Sequence, residues 1–295
     1  MSIFNKTVLL ILFTIITQPV FSEVRFNDSA SINWNTMIMT IDTALDLESA
    51  DISLPTGRVR GDEILTMHYR DISYPYLLKV QFDSTSTLNE HIGKGSFDYL
   101  KAMQYAKGAI KTPSFISGNY DRLQSAYRIS LAALSDTIVS HKVSYLLPAP
   151  LIPLPTGNWT GIVIIANTEL PVLGRKTSSS IVPCLLPKVW DTDGRLIYSK
   201  EQSNPRLNGS PIVRYFPTDA IFQSNPSGLS DEISAIVGTQ PLKIMAQGLF
   251  GEKPTDVIIN YQDAESILSG SESIKLLQEA KIVFIIDKAG LVQAL

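Results

Sequence analysis

The sequence predicts a mixed α/β (α+β) fold, arranged as two sheet-and-helix domains joined by a Pro-rich connector. Three observations carry this reading. Short strand-like apolar runs alternate with helix-like segments, and no Rossmann glycine signature accompanies them. The tract LLPAPLIPLPTG, Leu146 to Gly157, holds four prolines. Each removes a backbone donor and restricts the residue before it, which makes a stiff extended connector. Hydrophobic content of 44% with 18% charged residues describes a globular chain with sizeable cores. The expected organisation is a signal peptide over 1–22, an N-terminal α/β domain over 23–147, a linker over 148–158 and a C-terminal α/β domain over 159–295. The competing reading of the proline tract is a decorated edge strand or loop inside one continuous domain.

The chain opens on a targeting pattern. Lys6 supplies a positive start, Val8 to Ile16 is an apolar run too short to span a bilayer comfortably, and Val20-Phe21-Ser22 offers a cleavage site. Cleavage after Ser22 is expected, leaving an exported chain without an integral membrane span. Net charge is −3 with no basic tract, which argues against nucleic acid as a partner. The single cysteine, Cys184, excludes an internal disulfide, so burial and sheet hydrogen bonds must stabilise the fold.

Glu23 to Ser31 is polar and reads as a loose arm. The alternation from Met37 to Ile41 predicts a strand. Leu54-Pro55-Thr56-Gly57 makes a turn, and Arg58 to Met67 begins a helix with Asp62 and Glu63 near its start. Tyr76 to Phe82 reads as a strand with Leu78, Val80 and Phe82 on one face. The polar run Asp83 to Thr87 then caps a helix from about Leu88. Phe97 to Ala109 is the clearest helix of the first half, and the 123/127/131/134 stripe predicts another over Tyr120 to Val139.

In the second half, Thr160 to Ala166 has the composition of a strand buried on both faces. Two apolar runs, Ile181 to Trp190 and Leu196 to Tyr198, flank Asp191-Thr192-Asp193-Gly194 and predict a hairpin. Ile212 to Phe216 is a further strand. Ser230 caps a short helix that buries Ile233, Ile236 and Val237 and ends at Gly238. Leu242 to Gln247 and Asp256 to Asn260 read as strands, Asp263 to Leu268 and Ile274 to Ala280 as helical turns, and Lys281 to Asp287 as the closing strand.

Chemistry is sparse in this sequence. There is no Gly-x-Ser-x-Gly, and His68, His91 and His141 share no spacing that would make a metal site or a triad. Cys184 stands among apolar residues and prolines, the setting of a small buried side chain. The Asp191/Asp193 pair lacks the remaining ligands of a calcium loop, and Gly93-Lys94-Gly95-Ser96 lacks the leading Gly of a phosphate loop. Two basic clusters, Arg58 with Arg60 and Arg175 with Lys176, are the candidate anion or interaction contacts. Trp34, Trp159 and Trp190 suit either interface anchors or buried sheet positions. No catalytic residue, cofactor or metal site is expected.

The blocks TGIVIIA (from Thr160), LPKVWDTDGRLIY (from Leu186), PLKIMA (from Pro241), TDVIIN (from Thr255), Asp263-Ala264-Glu265 and AKIVFIID (from Ala280) occur in a characteristic order. In that order they resemble an exported bacterial envelope family related to flagellum-associated FlgP/FlgT-like proteins, most of all its spirochaete versions. Asn167 and Thr168 replace an Arg-Gly of that family, and its lipidation cysteine is missing. The resemblance implies a structural or assembly role in the cell envelope and carries over no catalytic residue. The expectation is a non-catalytic periplasmic protein acting by contact with envelope proteins. The alternative is an exported enzyme or small-ligand binder with a site between the two halves. A deep cleft gathering His91 or His141 with carboxylates from the second half would favour the alternative; a flat, filled interface would favour the first.

Overall fold

In a computed structural model the chain is described over residues 24–95, 98–138, 157–204, 207, 210–221 and 228–295. The expected signal peptide lies outside the described residues, as does the proline tract up to residue 156.

The first half runs β1 (Phe26–Asn33), β2 (Ile38–Asp46), α1 (Arg58–Leu78), α2 (Leu88–Gly93), α3 (Tyr99–Lys107), β3 (Ile110–Lys111), β4 (Phe115–Ile116), β5 (Arg122–Ser130) and α4 (Leu131–Ile138). The second half runs β6 (Ile162–Ala166), β7 (Leu170–Pro171), β8 (Ser178–Ser179), β9 (Val189–Asp191), β10 (Leu196–Tyr198), β11 (Arg214–Pro217), α5 (Asp231–Val237), β12 (Leu242–Met245), β13 (Gly248–Phe250), β14 (Asp256–Ile259), α6 (Tyr261–Leu268), α7 (Ser271–Gln278), β15 (Ile282–Ile286) and β16 (Val292–Ala294). The fold is α+β, as the alternation of runs predicts.

The first sheet is antiparallel, in the order β16-β1-β2-β5-β3, with β4 also on β5. Along β5 the side chains alternate, so Leu123, Tyr127 and Ile129 enter the core while Arg122, Arg128 and Ser130 face water. Helix α1 covers that inner face, and the Tyr127 hydroxyl donates to the Leu65 carbonyl at 2.7 Å.

Three expectations for this half are corrected. Residues expected as a loose arm form β1, whose outward positions are the small polar side chains that hid its alternation. Helix α1 continues through Pro75 to Leu78, so Tyr76 to Phe82 is not a strand; a single missing N–H costs less here than losing the packing of Ile72 and Leu77. Residues 122–130 are strand, not helix. Spacings of four between Leu123, Tyr127 and Leu131 satisfy a period of 2 as well as 3.6, and pairing with β2 over nine residues decides between them. The same four side chains of the expected stripe are buried, as a core reading requires.

The second half carries a parallel sheet, β11-β15-β6-β12, and a mixed sheet, β10-β9-β14-β13. Strands β6 and β15 are buried on both faces: Val163, Val283 and Ile285 pack under α5, and Ile164, Phe284 and Ile286 join the large core on the other side. Fully burying one such side chain stabilises by roughly 1.5–3 kcal/mol, so these strands form the rigid centre. Gly161 has no room for a Cβ, which would collide with Val237 at the end of α5. The Asp-Gly hairpin forms as expected, with Gly194 at φ +80°. Lys281 to Asp287 contains a strand but does not close the chain.

Instead, β16 crosses to the first half and pairs with β1, Ser31 opposite Ala294 and Asn33 opposite Val292. One hydrophobic core runs through both halves, holding Trp34, Met39 and Leu88 together with Leu186, Tyr215 and Phe284. The Trp34 ring meets Tyr215 edge-on at 6.0 Å, and Tyr215 meets Phe284 the same way at 5.8 Å.

Candidate functional site

A cleft opens where the two halves meet, beside the shared core. The loop after α1 brings it about. Asp83 Oδ1 accepts from the backbone N–H and the hydroxyl of both Thr85 and Ser86, at 2.8–2.9 Å, and fixes a tight turn. Thr87 and Glu90 then form a capping box that starts α2, which carries His91. The second half clamps this loop through backbone bonds from Leu185 to Gln81, Leu186 to Phe82 and Lys253 to Ser84. The resulting cavity, about 190 Å³, is lined by Phe82, Asp83 and His91 from the first half and by Leu186, Lys188, Leu196, Ser199, Lys200 and Glu201 from the second.

His91 Nε2 lies 3.4 Å from Asp83 Oδ2, and its ring lies against Phe82, centroids 3.5 Å apart and planes tilted by 38°. Burial pushes the imidazole pKa down, only partly offset by Asp83, so the ring is neutral near neutral pH. Burial also pushes the Asp83 carboxyl up, but the bonds from Thr85, Ser86 and His91 outweigh it and hold the group below the usual carboxylate range. With Asp83 ionised, Nε2 carries the proton and Nδ1 is left as a bare acceptor. Nδ1 is buried and has no hydrogen-bond partner.

Ser199 is buried, and its hydroxyl is shared between Glu201 Oε2 and Gln202 Oε1. No hydrogen bond among the described residues joins it to His91. Asp83, His91 and Ser199 are therefore near one another without the nucleophile-to-base contact that activates a serine. The arrangement can bind a polar group.

A second polar cluster fixes the hairpin. Asp191 Oδ1 accepts from the N–H of Asp193 and Arg195, and Asp191 Oδ2 from Arg195 Nε at 2.6 Å. The same guanidinium reaches Glu265 Oε1 at 2.7 Å and lies over the Tyr261 ring at 4.9 Å. One Arg thus ties β9 and β10 to α6. Beside it, buried Asp256 accepts from Trp190 Nε1 and Thr255, and burial pushes its carboxyl up. These contacts satisfy buried charge and hold the fold.

The basic clusters picked from sequence do not converge. Arg58 donates to the Ser114 carbonyl and Arg175 to the Glu252 carbonyl; Arg60 and Lys176 are exposed in separate halves. None of the four lines the cleft. Cys184 is buried, with its backbone N–H and carbonyl both bonded to the Tyr215 hydroxyl. Trp34 is buried in the shared core, while half-buried Trp190 packs edge-on against Phe250. His141 lies outside the described residues. Sequence reasoning missed Asp83, Lys188, Lys200 and Glu201. The only local signal was Thr87-x-x-Glu90, which places His91 on a short helix after a turn. Among the described residues no group of His, Cys, Asp and Glu is placed to hold a metal ion, and no helix is long and apolar enough to cross a membrane.

The fold and cleft define a class: two α+β halves sharing a core, with a small polar cavity at their junction. Residues 26–137 match the family model described as Treponema pallidum Tp0624, N-terminal domain, and residues 161–288 match that described as Treponema pallidum Tp0624, second domain. The chain is a two-domain protein of Tp0624-like architecture. No curated protein matches it.

Proposed function

We propose that this protein is a non-catalytic structural or assembly component of the cell envelope, exported to the periplasm and acting by protein–protein contact. The shared core carries this reading. Trp34, Tyr215 and Phe284 pack across the junction, and β16 sews the last residues into the first sheet. Such a body suits a fixed spacer or scaffold better than a hinge that opens and closes on substrate. The Tp0624-like domain pair agrees with the spirochaete character of the sequence blocks. The flagellum-associated form of the proposal rests on the FlgP/FlgT resemblance of those blocks alone.

The contact surface that fits best is the short-strand edge of the first sheet. Ile110, Phe115 and Tyr120 are all more than half exposed there, where β3 and β4 leave backbone groups of a sheet edge available. Affinity capture from envelope fractions with the mature chain should recover an envelope protein, and Phe115→Asp should reduce the recovery while leaving thermal unfolding unchanged. Recovery of no envelope component would overturn the proposal. Loss of the gene should disturb envelope morphology, and motility if the flagellar form holds.

The alternative, an exported enzyme or small-ligand binder, is favoured by one observation: the cleft sets His91 beside one carboxylate of the second half, Glu201.

A further inference from the structure

Strand β1 is longer than the strand that lies along its free side. Its pairing with β2 runs over all 8 residues, from Phe26 opposite Leu45 to Asn33 opposite Ile38. Its pairing with β16 covers only Ser31 to Asn33. The aim of each peptide group follows from the alternation of an antiparallel ladder. The Arg25 carbonyl accepts from the Asp46 N–H, so the odd-numbered residues here bond toward β2. The even-numbered ones bond the other way: the Ala30 carbonyl accepts from the Leu295 N–H, and the Trp34 N–H donates to the Leu291 carbonyl. Phe26 and Asp28 therefore aim their N–H and C=O away from β2, on a side where no strand lies opposite them among the described residues. They form an open sheet edge in line with β16.

This edge also carries a charge without a counter-ion. Asp28 belongs to the inner face, in one cross-strand row with buried Thr43 and Ser125. The Thr43 hydroxyl donates to Asp28 Oδ1 at 2.8 Å. Asp28 Oδ2 has no partner among the described residues, and it is not sealed from solvent. Burial pushes the carboxyl pKa up, the Thr43 bond offsets only part of this, and no basic group acts on it. The titratable groups that Asp28 acts on from the packed side are the phenols of Tyr76 and Tyr127. Basic side chains lie at this end of the strand without pairing to it. Arg25 directly precedes β1, His68 packs its ring against Phe26, and Lys79 lies over the Tyr76 ring. None of the three forms an ion pair with Asp28. A carboxylate partly removed from water is stabilised by a cation brought to it from outside.

We propose that the edge of β1 from Phe26 to Ala30 is a strand-addition site for an extended segment of a partner protein that carries a lysine or arginine opposite Asp28. The segment's main chain bonds to the peptide groups of Phe26 and Asp28 and prolongs the sheet beyond β16. A residue directly opposite Asp28 stands on the same face of the sheet, so its cationic group meets Oδ2. The residues on either side of it turn to the outer face, beside the small polar side chains of Asn27 and Ser29. A second copy of this chain fits the site poorly. The other open edge of the sheet offers Lys111, whose ammonium is already held by Asp62. The site shares the reading of a protein that acts by contact, but not the β3 and β4 surface.

The test is an NMR titration of the isotope-labelled mature chain with short capped peptides. Each alternates valine and threonine around one central lysine, arginine, glutamine or glutamate. The lysine and arginine peptides should shift the amides of β16 and the first half of β1, and should slow hydrogen exchange at the Phe26 and Asp28 N–H groups. The glutamate peptide should bind at least about tenfold more weakly, with glutamine between. Methylating the backbone nitrogens of the lysine peptide should abolish binding. Asp28→Asn keeps an acceptor for Thr43, so it should unfold no earlier than the parent and should remove the difference between the lysine and glutamate peptides. Phe115→Asp should leave the titration unchanged, which separates this site from the contact surface on β3 and β4. The proposal is overturned if the lysine peptide causes no shifts at about 1 mM, or if the shifts fall away from β1 and β16. It is equally overturned if the glutamate or methylated peptide binds as well as the lysine peptide, or if Asp28→Asn keeps the preference.

Discussion

Trp34 Nε1 donates to the side-chain oxygen of Gln293 at 3.1 Å, joining residues 259 positions apart. The Trp34 backbone N–H also donates to the Leu291 carbonyl at 2.8 Å, so the indole and its own main chain both grip the returning C-terminal segment. Trp34 is fully buried and touches Tyr215 of the second half. One side chain therefore links the first sheet, the last strand and the parallel sheet.

Trp34→Ala should destabilise the whole chain. Truncating a buried Trp costs roughly 3–5 kcal/mol, and the loss should appear in one cooperative transition, because the core is shared. Urea unfolding followed by circular dichroism checks this. Two separate transitions, with only one displaced, would show that the halves unfold independently.

Arg195 neutralises two carboxylates that are almost fully buried, Asp191 and Glu265, while being 41% exposed itself. Removing one partner of a fully buried ion pair costs roughly 3–5 kcal/mol. Solvent reaches this guanidinium, so Arg195→Ala should cost less, about 2 kcal/mol. Arg195→Lys should recover only part of that, since an ammonium cannot present two edges to two acids. Chemical denaturation of both variants gives the comparison; equal stability of the two would contradict the bridging role.

Cys184 should behave as an inert thiol. Burial pushes its pKa up, and the charge of Asp256 adds to that, so almost no thiolate exists at neutral pH. A thiol reagent should label the native chain only on the timescale of unfolding and should label one thiol per chain rapidly in denaturant. Rapid labelling of the native protein would mean the residue is not packed as described.

The Asp83 turn should leave a signature on the acid side. Its folded pKa lies below the unfolded value of 3.8, so ionised Asp83 stabilises the native state above that value. The contribution is lost as pH falls through 3.8 toward the folded pKa, where the unfolded state binds the extra proton. Asp83→Asn should therefore lower stability at neutral pH and flatten the fall in stability on acidification. Unfolding free energies measured from neutral pH down to about pH 3 test the slope. An unchanged acid slope in the variant would assign the pH dependence to other carboxylates.

Part of this was legible residue by residue. The double-faced burial of β6 and β15 follows from unbroken apolar runs, and the hairpin at Asp193-Gly194 follows from turn chemistry. Ser230 and Gly238 mark both ends of α5, as local capping rules require. The strand at 122–130 was not legible, because the spacing of Leu123, Tyr127 and Leu131 fits two periods and only the β2 partner selects one. Nor was the cleft. Its residues come from a turn near 83, a helix near 91, the stretch around 188 and the loop after β10, and no spacing in a linear chain connects them.

The sequence by itself determined the local elements that carry their own punctuation: capped helices, the Asp-Gly turn and strands apolar on both faces. It also determined the mixed class of the fold and that Cys184 is buried. Tertiary structure alone decided that β16 belongs to the first sheet, that Trp34 lies in a core common to both halves, and that His91 meets Lys188 and Lys200 across a cavity. Local rules act over a few residues through backbone geometry and side-chain period. Which distant surfaces meet is set by how apolar area is removed from water for the whole chain at once, and that sum has no local signature.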